Sequence, residues 1–222
     1  MKIGAIVPAY NAGKRLVSVI DDIKKYLGQR IIVVDDGSID NTVTVANEKD
    51  VIVLSHSQNK GKGEALKTGF RKALSLNWSA VITIDADGQH NPYFIQKFLI
   101  ALEQKKFDII IGSRMKDLST MPFHRTFSNI TTSKLISWRI GQKIIDSQSG
   151  YRLIKTEVLK NITLTTSHYD TETELLLRGG FIGYRIGFID IDTIYHNEPS
   201  SIRLFLDTGR FIKLFWSSFF WK

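Results

Sequence analysis

Cysteine is absent from this chain of 222 residues, which removes disulfide frameworks and thiolate metal sites and leaves the redox compartment open. No apolar run approaches the roughly 18 residues of a membrane span. The nearest, Phe211 to Trp221, is interrupted by Lys213. The amino terminus offers one lysine and then Ile3 to Val7 before Pro8, too short for the apolar region of a signal peptide. It reads as a first strand, and the chain is expected to be soluble or peripheral. There is no internal repeat, low-complexity tract or long linker, and 43% hydrophobic content suffices for a single domain over 1–222 with a full core.

Two nucleotide-site signatures are also missing. There is no GxxxxGK[ST] loop, and Gly61-Lys62-Gly63-Glu64-Ala65-Leu66 lacks the third glycine of a dinucleotide fingerprint. Kinase and dehydrogenase chemistry lose support. What the chain has in excess is positive charge, 30 basic against 22 acidic residues for a net +8. An anionic partner follows: a phosphate-bearing substrate, acidic lipid or nucleic acid. No RNA-stacking motif or zinc finger supports the last.

The first half alternates β-branched runs with amphipathic stretches: Ile3 to Val7, Lys14 to Leu27, Arg30 to Val34, Asp40 to Glu48, Val51 to Leu54, then a helix over Gly63 to Leu76. Val81 to Ile84, Phe94 to Leu102 and Ile109 to Ile111 continue the rhythm. This βαβ pattern predicts an α/β fold, a Rossmann-like, mostly parallel sheet flanked by helices. The nucleotide-binding half ends near Arg114, and residues 115–222 are expected to hold the acceptor side. There the pattern predicts helices over Phe127 to Ile140 and Glu172 to Arg178, and strands over Tyr184 to Ile186 and Ile189 to Tyr195. A terminal amphipathic helix places Arg203, Asp207, Arg210, Lys213 and Ser217 on one face and Phe205, Ile212, Phe215, Trp216 and Phe219 on the other. That suits either a bilayer interface or docking onto the core.

Ligands in open α/β sheets bind beyond the carboxyl ends of the strands. Those ends carry Pro8-Ala9-Tyr10-Asn11, Asp35-Asp36-Gly37-Ser38 and Asp85-Ala86-Asp87-Gly88-Gln89-His90. Asp85 and Asp87 project to one side and repel unless a cation intervenes, although both also suit a turn. With Gln89 adding an amide oxygen, the set favours Mg²⁺ or Mn²⁺ over zinc. Tyr10 can stack on a base, Asp36 can accept from base or ribose, and Lys60 and Lys62 in Asn59-Lys60-Gly61-Lys62-Gly63 bring two cations to a helix start. Together these outline a nucleotide diphosphate site.

The segments VPAYN at 7–11, VDDGS at 34–38, NKGKG at 59–63, DADGQH at 85–90, GSR at 112–114, DSQSGYRLI at 146–154 and ETE at 172–174 resemble family 2 glycosyltransferases of the GT-A fold. Within that family they are similar to the dolichol or polyprenol phosphate mannose synthase type. The resemblance implies that Pro8, Tyr10, Val34 and Asp36 hold the nucleoside, and that Asp85, Ala86 and Asp87 lie against the diphosphate. It implies Asp87 and Gln89, joined by Asp85, as metal ligands, Arg114 on the phosphates, and Arg125 with Asn129 at a lipid phosphate. Ala12 stands where those synthases carry a carboxylate, and His196 and Ile202 where they carry Arg and Lys, with Arg203 a substitute.

The implied reaction is inverting displacement at an anomeric carbon, moving a hexose from a nucleotide sugar to a polyprenyl phosphate at the cytoplasmic membrane face. Asp87, Arg114 and Asp146 are the catalytic candidates. A phosphate acceptor is already anionic and needs no strong base. A saccharide hydroxyl in cell-envelope glycan synthesis does need one, with Asp146, Asp170, Glu172 and Glu174 as candidates. A non-catalytic module binding anionic surfaces is the remaining alternative.

Overall fold

The computed structural model describes residues 1–104, 106–116, 121–192 and 204–221. One seven-stranded sheet runs through both halves of the chain, in the order β3-β2-β1-β4-β6-β5-β7. The strands are β1 (Ile3–Ala9), β2 (Ile31–Asp35), β3 (Ile52–Ser55), β4 (Ala80–Thr83), β5 (Ile109–Ser113), β6 (Arg152–Lys155) and β7 (Ile186–Asp190). β1 pairs in parallel with β2 and β4, and β2 with β3, as the βαβ rhythm predicts.

The connecting helices α1 (Gly13–Leu27), α2 (Thr42–Asn47), α3 (Lys62–Ser75) and α4 (Ile95–Glu103) cover the sheet. Val33 and Val34 point to opposite faces, so the continuous apolar run of β2 is buried twice. One core layer gathers Val7, Leu16, Ile20, Val33, Ile82 and Phe98. The other gathers Ile6, Val34, Leu66, Phe70, Val81 and Leu176.

The second half departs from expectation in three places. DSQSGYRLI, left without an assignment to helix or strand, ends in β6, which runs antiparallel to both neighbours, with Ile82 opposite Leu153 and Ile110 opposite Leu153 on the other side. The two strands expected over 184–195 are one described strand, β7, in parallel register with β5; residues 193–195 lie outside the described residues. Gly187, between the two expected strands, lies within β7, and its missing side chain is what fits there, since a Cβ would stand 2.4 Å from the Phe107 ring. The helix α5 begins at Phe123, not Phe127, with Pro122 at its N-cap, and ends at Ile140.

Helices α6 (Thr156–Asn161), α7 (Asp170–Ile182) and α8 (Leu204–Ser217) complete the chain. In α8, Leu214 is buried, whereas Ile212 and Trp216 stay exposed, as does Phe219 in the turn that follows, so the expected apolar face only partly meets the core. No helix among the described residues is long and apolar enough to cross a membrane.

Gly187→Val should force the Phe107 ring aside and lower stability by about 1–3 kcal/mol, the usual cost of overpacking. A reduced urea midpoint at unchanged m-value checks it; an unchanged midpoint counts against the packing described.

Candidate active site

The carboxyl ends of β1, β2 and β4 open onto one edge, where the loop after β1 is latched to the loop after β2. The Asn11 N–H donates to Ser38 Oγ (2.8 Å), Ile39 N–H to Asn11 Oδ1 (2.9 Å) and Ala12 N–H to Thr42 Oγ1 (2.8 Å). This latch leaves Tyr10 50% exposed, free to stack on a ligand, above the buried Pro8 and Val34, which face each other across the strand pair. Asp36 turns inward. It is 2% exposed and accepts from the Lys60 N–H (2.9 Å) and Gly61 N–H (2.8 Å), with His56 Nδ1 at 2.7 Å. Its carboxylate therefore shapes the glycine loop, and His56, which is absent from the sequence expectations, supports it.

Lys62, the first residue of α3, reaches from that loop to Asp85 (2.6 Å) and Glu172 (3.3 Å). Burial disfavours its charge, but Asp85 and Glu172 outweigh burial and hold the ammonium pKa well above the ordinary lysine value. Burial likewise works to raise the Asp85 pKa, and Lys62, His90 and Arg114 bring it below the ordinary range instead. A Cβ at Gly150 would stand 2.7 Å from Asp85 Oδ2, so the glycine lets the backbone of the acceptor half approach this pair. His90 is buried against Tyr151 (5.1 Å between rings), and its Nδ1 has no hydrogen-bond partner. Burial draws its pKa below the ordinary histidine value, against the pull of Asp85 and Asp87 nearby.

Asp87 is partly exposed. One of its oxygens accepts the Gln89 N–H (2.9 Å), and its carbonyl accepts from Arg15 Nη1 (3.2 Å), a contact from α1 that spacing did not signal. Ala86 is buried between the two acids. No cluster of three or more His, Cys, Asp or Glu is assembled among the described residues. Two neighbouring carboxylates nevertheless fit Mg²⁺ or Mn²⁺, which take one or two carboxylates and complete their shell with water and substrate phosphates. Asp87 and Asp85 would hold such an ion, with Gln89 beside them. The imidazole nitrogen of His90, buried and without a hydrogen-bond partner, is a further polar atom close by in sequence.

Across the cleft, Asp146 is completely buried and saturated. It accepts from the Arg114 backbone N–H (3.1 Å), Arg114 Nε (3.0 Å) and Nη2 (3.0 Å), Asn129 Nδ2 (2.8 Å), Gln148 N–H (3.1 Å) and Ser149 N–H (3.0 Å). Burial works to raise its pKa, but the Arg114 charge and these donors hold it below the ordinary range. A carboxylate so engaged aims Arg114; it has no free lone pair with which to act as a base. Asn129 thus joins the site by way of Asp146, while Arg125, one turn earlier on α5, is not among the Asp146 donors. Arg203, His196 and Ile202 lie outside the described residues.

The ETE segment divides by role. Glu174 is buried and accepts from Thr165 N–H (2.8 Å), Thr166 N–H (2.9 Å) and Arg178 Nε (2.7 Å). Glu172 faces Lys62, and its carbonyl accepts from Arg152 Nη1 (2.6 Å). Asp170 accepts the His168 N–H (3.2 Å) at the start of α7. Arg152, the first residue of β6, is 1% exposed and also donates to the carbonyls of Ser149 (2.7 Å) and Ser147 (2.8 Å).

Comparison with known proteins identifies the family and the fold. The model of glycosyl transferase family 2 matches residues 5–163. A UDP-N-acetylglucosamine–dolichyl-phosphate N-acetylglucosaminyltransferase of Methanococcus voltae is 33% identical over 212 residues, covering 86% of this chain and 84% of the relative. A dolichol-phosphate mannosyltransferase of Pyrococcus furiosus is 31% identical, covering 82% of this chain and 54% of the relative. The glucosyl-3-phosphoglycerate synthase of Mycobacterium tuberculosis, solved with UDP, superposes with a TM-score of 0.76 at 21% identity, over 98% of this chain and 79% of its own, which shows the GT-A fold. The same enzyme has been solved with Mn²⁺, UDP and phosphoglyceric acid, at a TM-score of 0.76. The chain is a glycosyltransferase and belongs to family 2.

Proposed function

We propose that the chain transfers a hexose from a nucleotide diphosphate sugar to a polyprenyl phosphate, with inversion at the anomeric carbon. The observation that carries the choice of acceptor is the state of the acceptor-half carboxylates. Asp146 and Glu174 are buried and fully engaged, Glu172 faces the Lys62 cation, and Asp170 accepts the His168 N–H at the start of α7. A hydroxyl nucleophile needs a base to take its proton. A phosphate monoester, whose second pKa is near 6, arrives largely deprotonated. The relatives in Methanococcus voltae and Pyrococcus furiosus, named for dolichyl phosphate acceptors, support the same choice.

In this reading Tyr10 stacks on the base, and the loop fixed by Asp36 closes beside the ribose. Asp85, Ala86 and Asp87 lie along the diphosphate. A divalent cation held by Asp87 and Asp85 supplies electrostatic stabilisation of the departing diphosphate. Arg114, fixed in orientation by Asp146, meets the charge that grows on the leaving phosphate. Lys62 keeps Asp85 ionised and ties the donor edge to Glu172. Arg125 on α5 meets the incoming phosphate, and Asn129 acts through its hydrogen bond to Asp146. The location that follows is peripheral, on the membrane face where nucleotide sugars are available.

Incubation with labelled nucleotide sugars, Mn²⁺ and polyprenyl phosphate should move label into an organic-soluble product that releases the sugar in mild acid. Label passing to saccharide acceptors and none to lipid phosphate would overturn the reading in favour of a hydroxyl acceptor, and no transfer to either would sink both.

Asp87→Ala should remove the Mn²⁺-dependent rise in melting temperature that the donor produces, because stabilisation follows binding by mass action. A retained shift argues against the metal role.

Arg114→Lys keeps a charge but loses the planar fork held by Asp146. It should fold and lose roughly 10²- to 10³-fold in kcat, the scale of one transition-state donor. A kcat within a factor of about two of wild type would exclude Arg114 from that role.

A further inference from the structure

Helix α5 is amphipathic in the reverse sense. Its inward stripe is mostly polar, with Ile136 buried beside it: Asn129 and Ser133 are buried, Ser133 Oγ donates to Ser147 Oγ (3.0 Å), Thr132 Oγ1 lies 2.9 Å from Ser147 Oγ, and Ser137 Oγ accepts the Ile144 N–H (2.9 Å). Its outward stripe is apolar and aromatic, with Phe123 84%, Phe127 64% and Trp138 70% exposed. A helix that only docks onto a core buries its apolar stripe and shows water its polar one. Here the polar stripe is spent on the site, and the apolar stripe faces out.

That stripe continues onto α8 and the turn after it. Trp138 meets Phe219 (5.9 Å) and Phe215 (6.4 Å), and Phe219 meets Trp216 (5.8 Å). Arg139 fastens the two elements through the Ser218 carbonyl and Ser218 Oγ (3.1 Å). Ile212, Trp216 and Phe220 are exposed in the same region. A contiguous apolar patch of this kind marks an interaction surface.

Charge selects the occupant. From Phe123 to Ile145 the chain carries Arg125, Lys134, Arg139 and Lys143 and no acidic residue, and Lys213 is exposed on α8. The acid on α8, Asp207, is paired with Arg210 (2.8 Å). A second copy of this chain would set like charges against like, which costs affinity. An anionic bilayer supplies the complementary charge and an apolar layer for the aromatic rings.

We propose that the outer faces of α5 and α8 together form one surface that lies on an anionic lipid bilayer, with α5 as the wall between lipid and active site. A helix is about 10 Å across. Asn129 on its inner stripe therefore lies about one helix diameter from the lipid-facing side, which sets how far an acceptor's phosphate must rise to reach the site. The proposal deepens the lipid-acceptor reading and rests on it for that alignment, while the bilayer contact itself is measured without donor or acceptor.

The test is co-sedimentation of the full chain with vesicles of phosphatidylcholine, alone and mixed with phosphatidylglycerol, none containing polyprenyl phosphate. Binding is expected to the mixed vesicles and to fall at high salt. Phe127→Ser and Trp138→Ser, both at exposed positions, should each weaken it about tenfold, the worth of one buried aromatic. Their circular dichroism, and their activity on a short-chain, water-soluble polyprenyl phosphate, should match wild type. Equal binding by wild type and both variants overturns the proposal. So does failure to bind mixed vesicles, and if that comes with a concentration-dependent dimer that Trp138→Ser dissolves, the face is a contact between copies. Failure of transfer to lipid phosphate with vesicle binding intact would strike the acceptor reading alone.

Discussion

Much of this structure depends on one buried cation. Burial pulls the Arg152 guanidinium below its ordinary pKa, and Glu172, Asp146 and Asp85 counter it through space. Arginine stays charged in proteins, so its donors must all find acceptors. They find the carbonyls of Ser147, Ser149 and Glu172. Three backbone segments are thereby gathered round one group: the turn that carries Asp146, the approach to β6 and the first turn of α7. Breaking such a buried arrangement from one side costs about 3–5 kcal/mol, so the segments hold together or fail together.

Around Arg152 the site alternates sign. Lys62 lies between Asp85 and Glu172, and Arg114 lies on Asp146. Lys62 and Arg114 hold the Asp85 and Asp146 pKa values below the ordinary range, and Asp146 in turn aims Arg114. Such a lattice is pre-organised for a doubly charged phosphate ligand, because its dipoles and charges are already oriented before anything binds. Lys62 and Gly150 both touch Asp85 territory from opposite halves of the chain, so donor and acceptor edges are set by shared contacts.

Periodicity made the first half legible. The apolar runs of β1 to β4 and the 3.6-residue rhythm of α1 and α3 encode their own burial, and the strand-end motifs fell where an open sheet puts its ligands. The second half was less so, for physical reasons. β6 has only Leu153 and Ile154 as apolar markers, since Arg152 occupies its first position. The gap between the two expected strands holds Gly187, whose missing side chain makes room for Phe107. Asp36, Asp146 and Glu174 looked alike as candidate ligand or base residues, and what separates them is burial among partners distant in sequence, which no local pattern carries. Arg15, His56 and Arg152 share that property. The outward aromatic stripe of α5 was written in the sequence, yet its meaning depended on knowing that the polar stripe was already in use.

The antiparallel β6, placed between β4 and β5, has a mechanical consequence. A chain built as two halves joined by a linker can hinge, opening its cleft by rigid-body rotation. Here a strand from the second half is hydrogen-bonded on both sides to strands of the first, and any such rotation would have to tear two ladders at once. Entry and release must therefore be governed by the loops at the sheet edge, while the frame that sets the distance between the reacting groups stays fixed throughout the cycle.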